Sequence, residues 1–72
     1  MSLTAENICS AQTGSVLCNI KTHLSWIFLH PVTFDDDGVL RLWGCVLINP
    51  HGRVQSVPYA EIVRDFEWFN LK

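Results

Sequence analysis

The side chains with the widest chemical reach in this sequence are three cysteines, Cys9, Cys18 and Cys45, and three histidines, His23, His30 and His51. A structural zinc site draws its ligands in close pairs, commonly with two residues between them, because a short loop then holds both donors against one ion. No two of these six residues are spaced that way, so no metal is expected. A thiol nucleophile with a base and an orienting carboxylate could be drawn from Cys45, His51 and Asp37. Cys45 follows Gly44 inside an apolar run, however, where a buried thiol acting as a small hydrophobe is the commoner state. The acidic run Asp35-Asp36-Asp37 precedes Gly38 and lacks the later oxygen ligands of a calcium loop, so it reads as an exposed turn. His30 before Pro31, and His51 in a Pro- and Gly-bearing segment, read as solvated loop residues. The sequence therefore predicts no catalytic residue, no metal and no cofactor.

Charge narrows the partners. The formal charge is −2, and the basic residues Lys21, Arg41, Arg53, Arg64 and Lys72 are spread along the chain. A phosphate-binding surface concentrates such residues on one face, so nucleic acid is not the expected partner. An odd number of scattered cysteines is no disulfide framework, which favours a reducing compartment. No basic stretch followed by an apolar run opens the chain, and Ile27 to Leu29 is far too short to cross a bilayer, so the expected location is the cytoplasm, away from membranes.

The elements that must position these residues come next. Across 72 residues there is no repeat, low-complexity stretch or linker, so residues 1–72 are expected to form a single domain. Thr4 can cap a short helix over residues 4–12, with Gly14 where the chain leaves it. From Ser15 the pattern is extended, with Val16, Cys18 and Ile20 alternating against Asn19 and Lys21. A second extended run, Leu24 to Phe34, contains Pro31, which marks an edge or a bulge. After the turn at Asp36-Asp37-Gly38, Val39 to Asn49 is the clearest strand, and Asn49-Pro50-His51-Gly52 turns the chain into a partner strand, Arg53 to Val57. The segment 58–70 reads two ways. At period 3.6, Tyr59, Ile62, Val63, Phe66 and Phe69 form a helical stripe, whereas residue type favours a tight turn at Pro58-Tyr59-Ala60 and a final strand. The predicted fold class is mainly β: a small antiparallel meander or barrel, SH3-like or Sm-like, with a short N-terminal helix. The alternative is α+β with a C-terminal helix at 58–70.

Strict alternation puts Leu40, Leu42, Gly44, Val46 and Ile48 on one side of the strand from Val39, and Val39, Arg41, Trp43, Cys45 and Leu47 on the other. The preceding run also divides into two apolar sides, Leu24, Trp26, Phe28 and Val32 against Ile27 and Leu29. A sheet with two apolar faces needs a cover on each, and the first ~14 residues supply about two helical turns, enough for one. With 49% apolar residues and a mean hydropathy of +0.20, the chain is richer in apolar surface than its length can hide. A second copy, or another protein, is expected over the other face, with Arg41 and Trp43, and Trp26 or Trp68, at the contact. Gly44 inside a strand marks a sharp bend or a close approach, with Trp26 or Trp68 over it.

The order of a short N-terminal helix, a long bent strand through Gly38-Val39-Leu40-Arg41-Leu42-Trp43-Gly44, and a late Val57-Pro58-Tyr59-Ala60-Glu61-Ile62-Val63 is similar to the layout of Sm-like small barrels over roughly residues 4 to 66. The resemblance implies a small barrel that assembles through its edge strands. It also implies RNA binding, but the basic and polar loop residues used for that are absent here. The expected function is a non-enzymatic, self-associating small barrel serving as a protein-interaction or small apolar ligand-binding module. The alternatives are a single-strand nucleic-acid module built on Arg41, Arg53 and Arg64, and a small enzyme using Cys45 or His51.

Overall fold

The computed structural model describes residues 2–69, and residue 70 of the expected C-terminal element, like Lys72, lies outside them. The chain runs α1 (Ala5–Ser10), β1 (Val16–Asn19), β2 (Ser25–Asp36), β3 (Val39–Ile48), β4 (Val54–Pro58), α2 (Tyr59–Asp65) and β5 (Phe66–Trp68). The strands form one antiparallel sheet in the order β4-β3-β2-β1-β5. The first four follow as a meander, and α2 carries the chain back so that β5 pairs with β1 at the far edge. The sheet is open, with β4 and β5 as its two edges.

Local chemistry accounts for the turns. Thr4 is an extended N-cap whose Oγ1 accepts from the Asn7 N–H at 3.2 Å, while the Asn7 Oδ1 accepts from the Thr4 N–H at 3.0 Å. The helix stops at Ser10, before the expected residue 12, and Gly14 lies instead in the turn leading to β1. Asp37 and Gly38 have φ of 55° and 82°, the two positive values of the tight hairpin turn whose twist matches the strands it joins. At the other end of β3, the Asn49 side chain accepts from the backbone N–H of His51 and Arg53, at 2.9 and 3.0 Å, and closes the second hairpin.

The register between β2 and β3 departs from strict alternation twice. Leu29 is an extra residue in β2, between Phe28 and His30, and Trp43 is an extra residue in β3, between the pairs Val32–Gly44 and Thr33–Leu42. These bulges correct the predicted faces: Leu42 packs against the same core as Cys45 and Leu47, although alternation set them on opposite sides. In β1 the buried residue is Leu17, between Val16 and Cys18, and the strand ends at Asn19. Pro31 falls in the part of β2 beyond its pairing with β1, where its missing N–H breaks no ladder.

Residues 58–69 contain both predicted structures in succession. Pro58, at φ −69°, leads into the helix Tyr59–Asp65, which buries Ile62, and only Phe66–Trp68 is strand. A final strand following directly on Pro58-Tyr59-Ala60 is thus corrected, as is an uninterrupted helix to residue 70. The core comprises Leu3, Ile8, Leu17, Phe28, Cys45, Leu47, Val57, Ile62 and Phe66. Ile8 of α1 and Ile62 of α2 belong to it, so the two helices cover this inner face of the sheet.

Asp65 fastens the end of α2. Its carboxylate accepts from Arg64 Nε and Nη2, both at 3.0 Å, and lies 3.3 Å from Lys21 Nζ in the β1–β2 turn. The hydrogen bonds from Arg64 lead the causes that hold its pKa at about 2, against an ordinary 3.8. A carboxylate depressed in the folded state stabilises the fold above its unfolded pKa, and that contribution disappears as pH falls through the folded one. Wild type is therefore expected to exceed Asp65→Asn in urea midpoint at pH 6, with the gap closing between pH 3.8 and about 2. A gap of constant size down to pH 2 would show that the carboxylate's charge contributes nothing.

Candidate interaction surface

Paired residues in a sheet share a face, so the register defines the side the helices leave bare. Leu17, Trp26, Phe28 and Leu47 point inward to the core. Their neighbours Val16, Ile27, Ile48 and Val54 point outward, and the pairings Val16–Ile27, Ile27–Ile48 and Ile48–Val54 set these four in one straight row across β1, β2, β3 and β4. Ile27 is 40% exposed and Val54 67%. The next row along the strands is His30, Val46 and Ser56, and farther out lie Val32 with Gly44, then Phe34 with Arg41. Among the described residues no helix or strand lies over this outer face, and no pocket opens.

The structure separates the residues expected at a contact. Trp43 stands at the β3 bulge, 42% exposed. Arg41, two residues away, donates from Nε to Asp36 Oδ2 at 2.7 Å. Trp26 and Trp68 lie on the inner face instead, packed against the core. Trp26 meets the Phe66 ring edge-on at 5.0 Å between centroids, Trp68 meets Phe28 at 5.8 Å, and the Trp68 indole N–H donates to Asn7 Oδ1 at 3.0 Å. Asn7 also donates from Nδ2 to the Ser2 carbonyl, so one amide links the N-terminal segment, α1 and β5. Sequence reasoning passed over Asn7, since its third position after Thr4 signals only the cap. Nor does either tryptophan lie over Gly44. The backbone of Val57 and Pro58 does, and a Cβ on Gly44 would meet the Val57 carbonyl oxygen and lie 2.9 Å from Pro58 Cα.

The residues weighed for catalysis remain apart. Asp37 and His51 sit in the turns at opposite ends of β3, roughly 35 Å apart along a strand path that rises ~3.3 Å per residue. Cys45 is fully buried, and burial first, with Cys9 adding to it, pushes its thiol up to about 12. Under native conditions a thiol reagent is expected to label the exposed Cys9 readily, the half-buried Cys18 slowly, and Cys45 only after unfolding. Labelling of Cys45 as fast as Cys9, read by mass spectrometry of the peptides, would contradict that burial. Among the described residues no three of His, Cys, Asp and Glu converge where a metal ion could sit.

Among the described residues the basic side chains form no groove either. Arg41 is paired with Asp36, and Arg64 and Lys21 both with Asp65. Arg53 lies at the far end of β3 from Arg41, roughly 25 Å along the strand. Among the described residues no helix is long and apolar enough to cross a membrane. Compared with protein-family models, curated proteins and solved structures, the chain matches none.

Proposed function

We propose that this domain is a non-enzymatic protein-interaction module that self-associates, its outer sheet face packed against a second copy. The observation that carries this reading is the row Val16, Ile27, Ile48 and Val54, with Trp43 farther along β3. An antiparallel sheet with one wet face places polar residues there, and four aliphatic side chains in register across four strands are what a packed face carries. A second copy suits the surface because the row carries no charge to repel itself, and Arg41 beyond it is already neutralised by Asp36. A sheet face with no pocket among the described residues fits a protein better than a small apolar ligand, which binds in a concavity. The β1-to-β4 meander, β5 returning to β1 and the helices at α1 and α2 support an SH3-like or Sm-like layout as the finer description, with the sheet left open between β4 and β5. Three free thiols fit a reducing compartment such as the cytoplasm.

Sedimentation or light scattering at micromolar concentration tests the reading. The expected mass is a multiple of the 8.2 kDa chain. A single-chain mass across that range would overturn it.

A further inference from the structure

We infer that the free edge of β4 pairs, antiparallel and about a two-fold axis at Gln55, with β4 of a second copy; this deepens the self-association proposed above by adding a second contact.

The sheet has four stretches of unpaired edge, and three of them are blocked: the part of β3 beyond β4, residues 39–43, carries the charged Arg41 and ends at the Trp43 bulge. β5 is only three residues long, and Ser2 bridges to Glu67 on its outer side. The part of β2 beyond β1 carries Pro31 and the charged Asp35 and Asp36. Short strands, prolines and charges are the usual means by which an edge is kept from pairing. β4 has no charged residue from Val54 to Pro58, no proline before its last position, and no bulge in its pairing with β3. Among the described residues nothing pairs with its outer side.

The direction of its backbone groups follows from the hairpin. The Asn49 N–H donates to the Arg53 carbonyl at 2.8 Å, so those two residues form a hydrogen-bonded pair. Bonded and non-bonded pairs alternate along an antiparallel ladder. Leu47–Gln55 and Cys45–Val57 are therefore bonded, while Ile48–Val54, Val46–Ser56 and Gly44–Pro58 are not. Pro58, lacking an N–H, occupies a place where none is needed. Val54 and Ser56 turn their N–H and C=O groups away from β3, toward the open side.

Those four groups are self-complementary. With Gln55 opposite Gln55 of the second copy, Val54 stands opposite Ser56 twice over, and each such pair exchanges two hydrogen bonds. All four outward groups of both strands are then satisfied, and the side chains of paired residues stay on matching faces. The same register brings Arg53 to the end of the opposing strand where α2 begins with Glu61 in its first turn. Neither Arg53 nor Glu61 makes an ion pair among the described residues. Charge complementarity thus selects a second copy over an unrelated extended peptide. Edge and face contacts, each two-fold, close together into an assembly of four chains.

The test compares the solution mass of wild type, Ser56→Pro, Gln55→Lys, Gln55→Glu and Ile27→Lys. Ser56→Pro removes an N–H that points away from β3, and a tenfold or greater weakening of the edge contact is expected. Gln55→Lys and Gln55→Glu, at an exposed position, each set like charges across the axis, and mixing the two is expected to restore the mass that each alone loses. Wild type at four copies, with Ser56→Pro and Ile27→Lys at two, supports both contacts. An unchanged mass in Ser56→Pro with no rescue in the Gln55 mixture overturns the edge pairing, and Ile27→Lys at one copy then leaves the face contact standing. Ser56→Pro at one copy, with Ile27→Lys unchanged, supports the edge and overturns the face.

Discussion

Gly44→Ala is expected to lower stability by roughly 2–4 kcal/mol, at or above the upper end of the about 1–3 kcal/mol usual for overpacking because the site cannot relax. The added methyl would meet the Val57 carbonyl oxygen, with Pro58 Cα and the Val57 carbonyl carbon both at 2.9 Å. All three are backbone atoms. They cannot retreat cheaply, because β4 is laddered to β3 and leads straight into α2, whose Ile62 is fully buried. A chain of this length has a total stability on the order of 4–11 kcal/mol, so the loss is a large part of it. The corresponding drop in Tm, about 10–30 °C, is read by thermal unfolding followed by circular dichroism. Gly52→Ala is the comparison. Its φ of 82° strains an alanine, but nothing lies within 4 Å of a Cβ there, so a cost of about 1 kcal/mol is expected. Equal effects at the two glycines would mean that the approach of Val57 and Pro58 does not constrain β3.

The second large effect is expected from Ile27→Lys. Ile27 sits inside the outer row, between Val16 and Ile48, and is 40% exposed in the single chain. A lysine there reaches solvent in an isolated copy, so the change in fold stability stays below about 1 kcal/mol. In a packed contact the same ammonium is buried without a partner, at a cost of several kcal/mol. Each 1.4 kcal/mol is tenfold in affinity, so the face contact weakens by about a hundredfold or more. The mass falls while the far-UV spectrum stays that of wild type. Leu40→Lys, at the 71% exposed tip of the β2–β3 hairpin, is expected to leave the mass unchanged. An Ile27→Lys protein that keeps the wild-type mass would remove the outer face from the assembly.

What was legible in the amino-acid sequence was local. The cap at Thr4, the paired positive φ at Asp37 and Gly38, and the Asn49 turn each depend on a few neighbouring residues, and each could be read from them. The excess of apolar surface was legible too, because it is a sum over residue types and needs no knowledge of which strand lies beside which. The candidate site was legible in kind, as a bare apolar face, but only in part by residue. Trp43 lies exposed on β3, whereas Trp26 and Trp68 went to the core.

Only the tertiary structure decided which residues share a face. Alternation assumes an unbroken pleat, and the extra residues Leu29 and Trp43 shift its phase, which turns Leu42, Cys45 and Leu47 to one side. A bulge is set by the register between two strands, a property of the pair that neither strand's sequence contains alone. Residues 59–68 show the same division. Their helical stripe and their strand-forming side chains were both real, and pairing of Phe66–Trp68 with β1 fixed where one gave way to the other. Local rules determine turns and caps because their partners lie within four residues; faces, edges and the row across four strands depend on partners from six to about fifty residues away, and those are chosen by the packed fold.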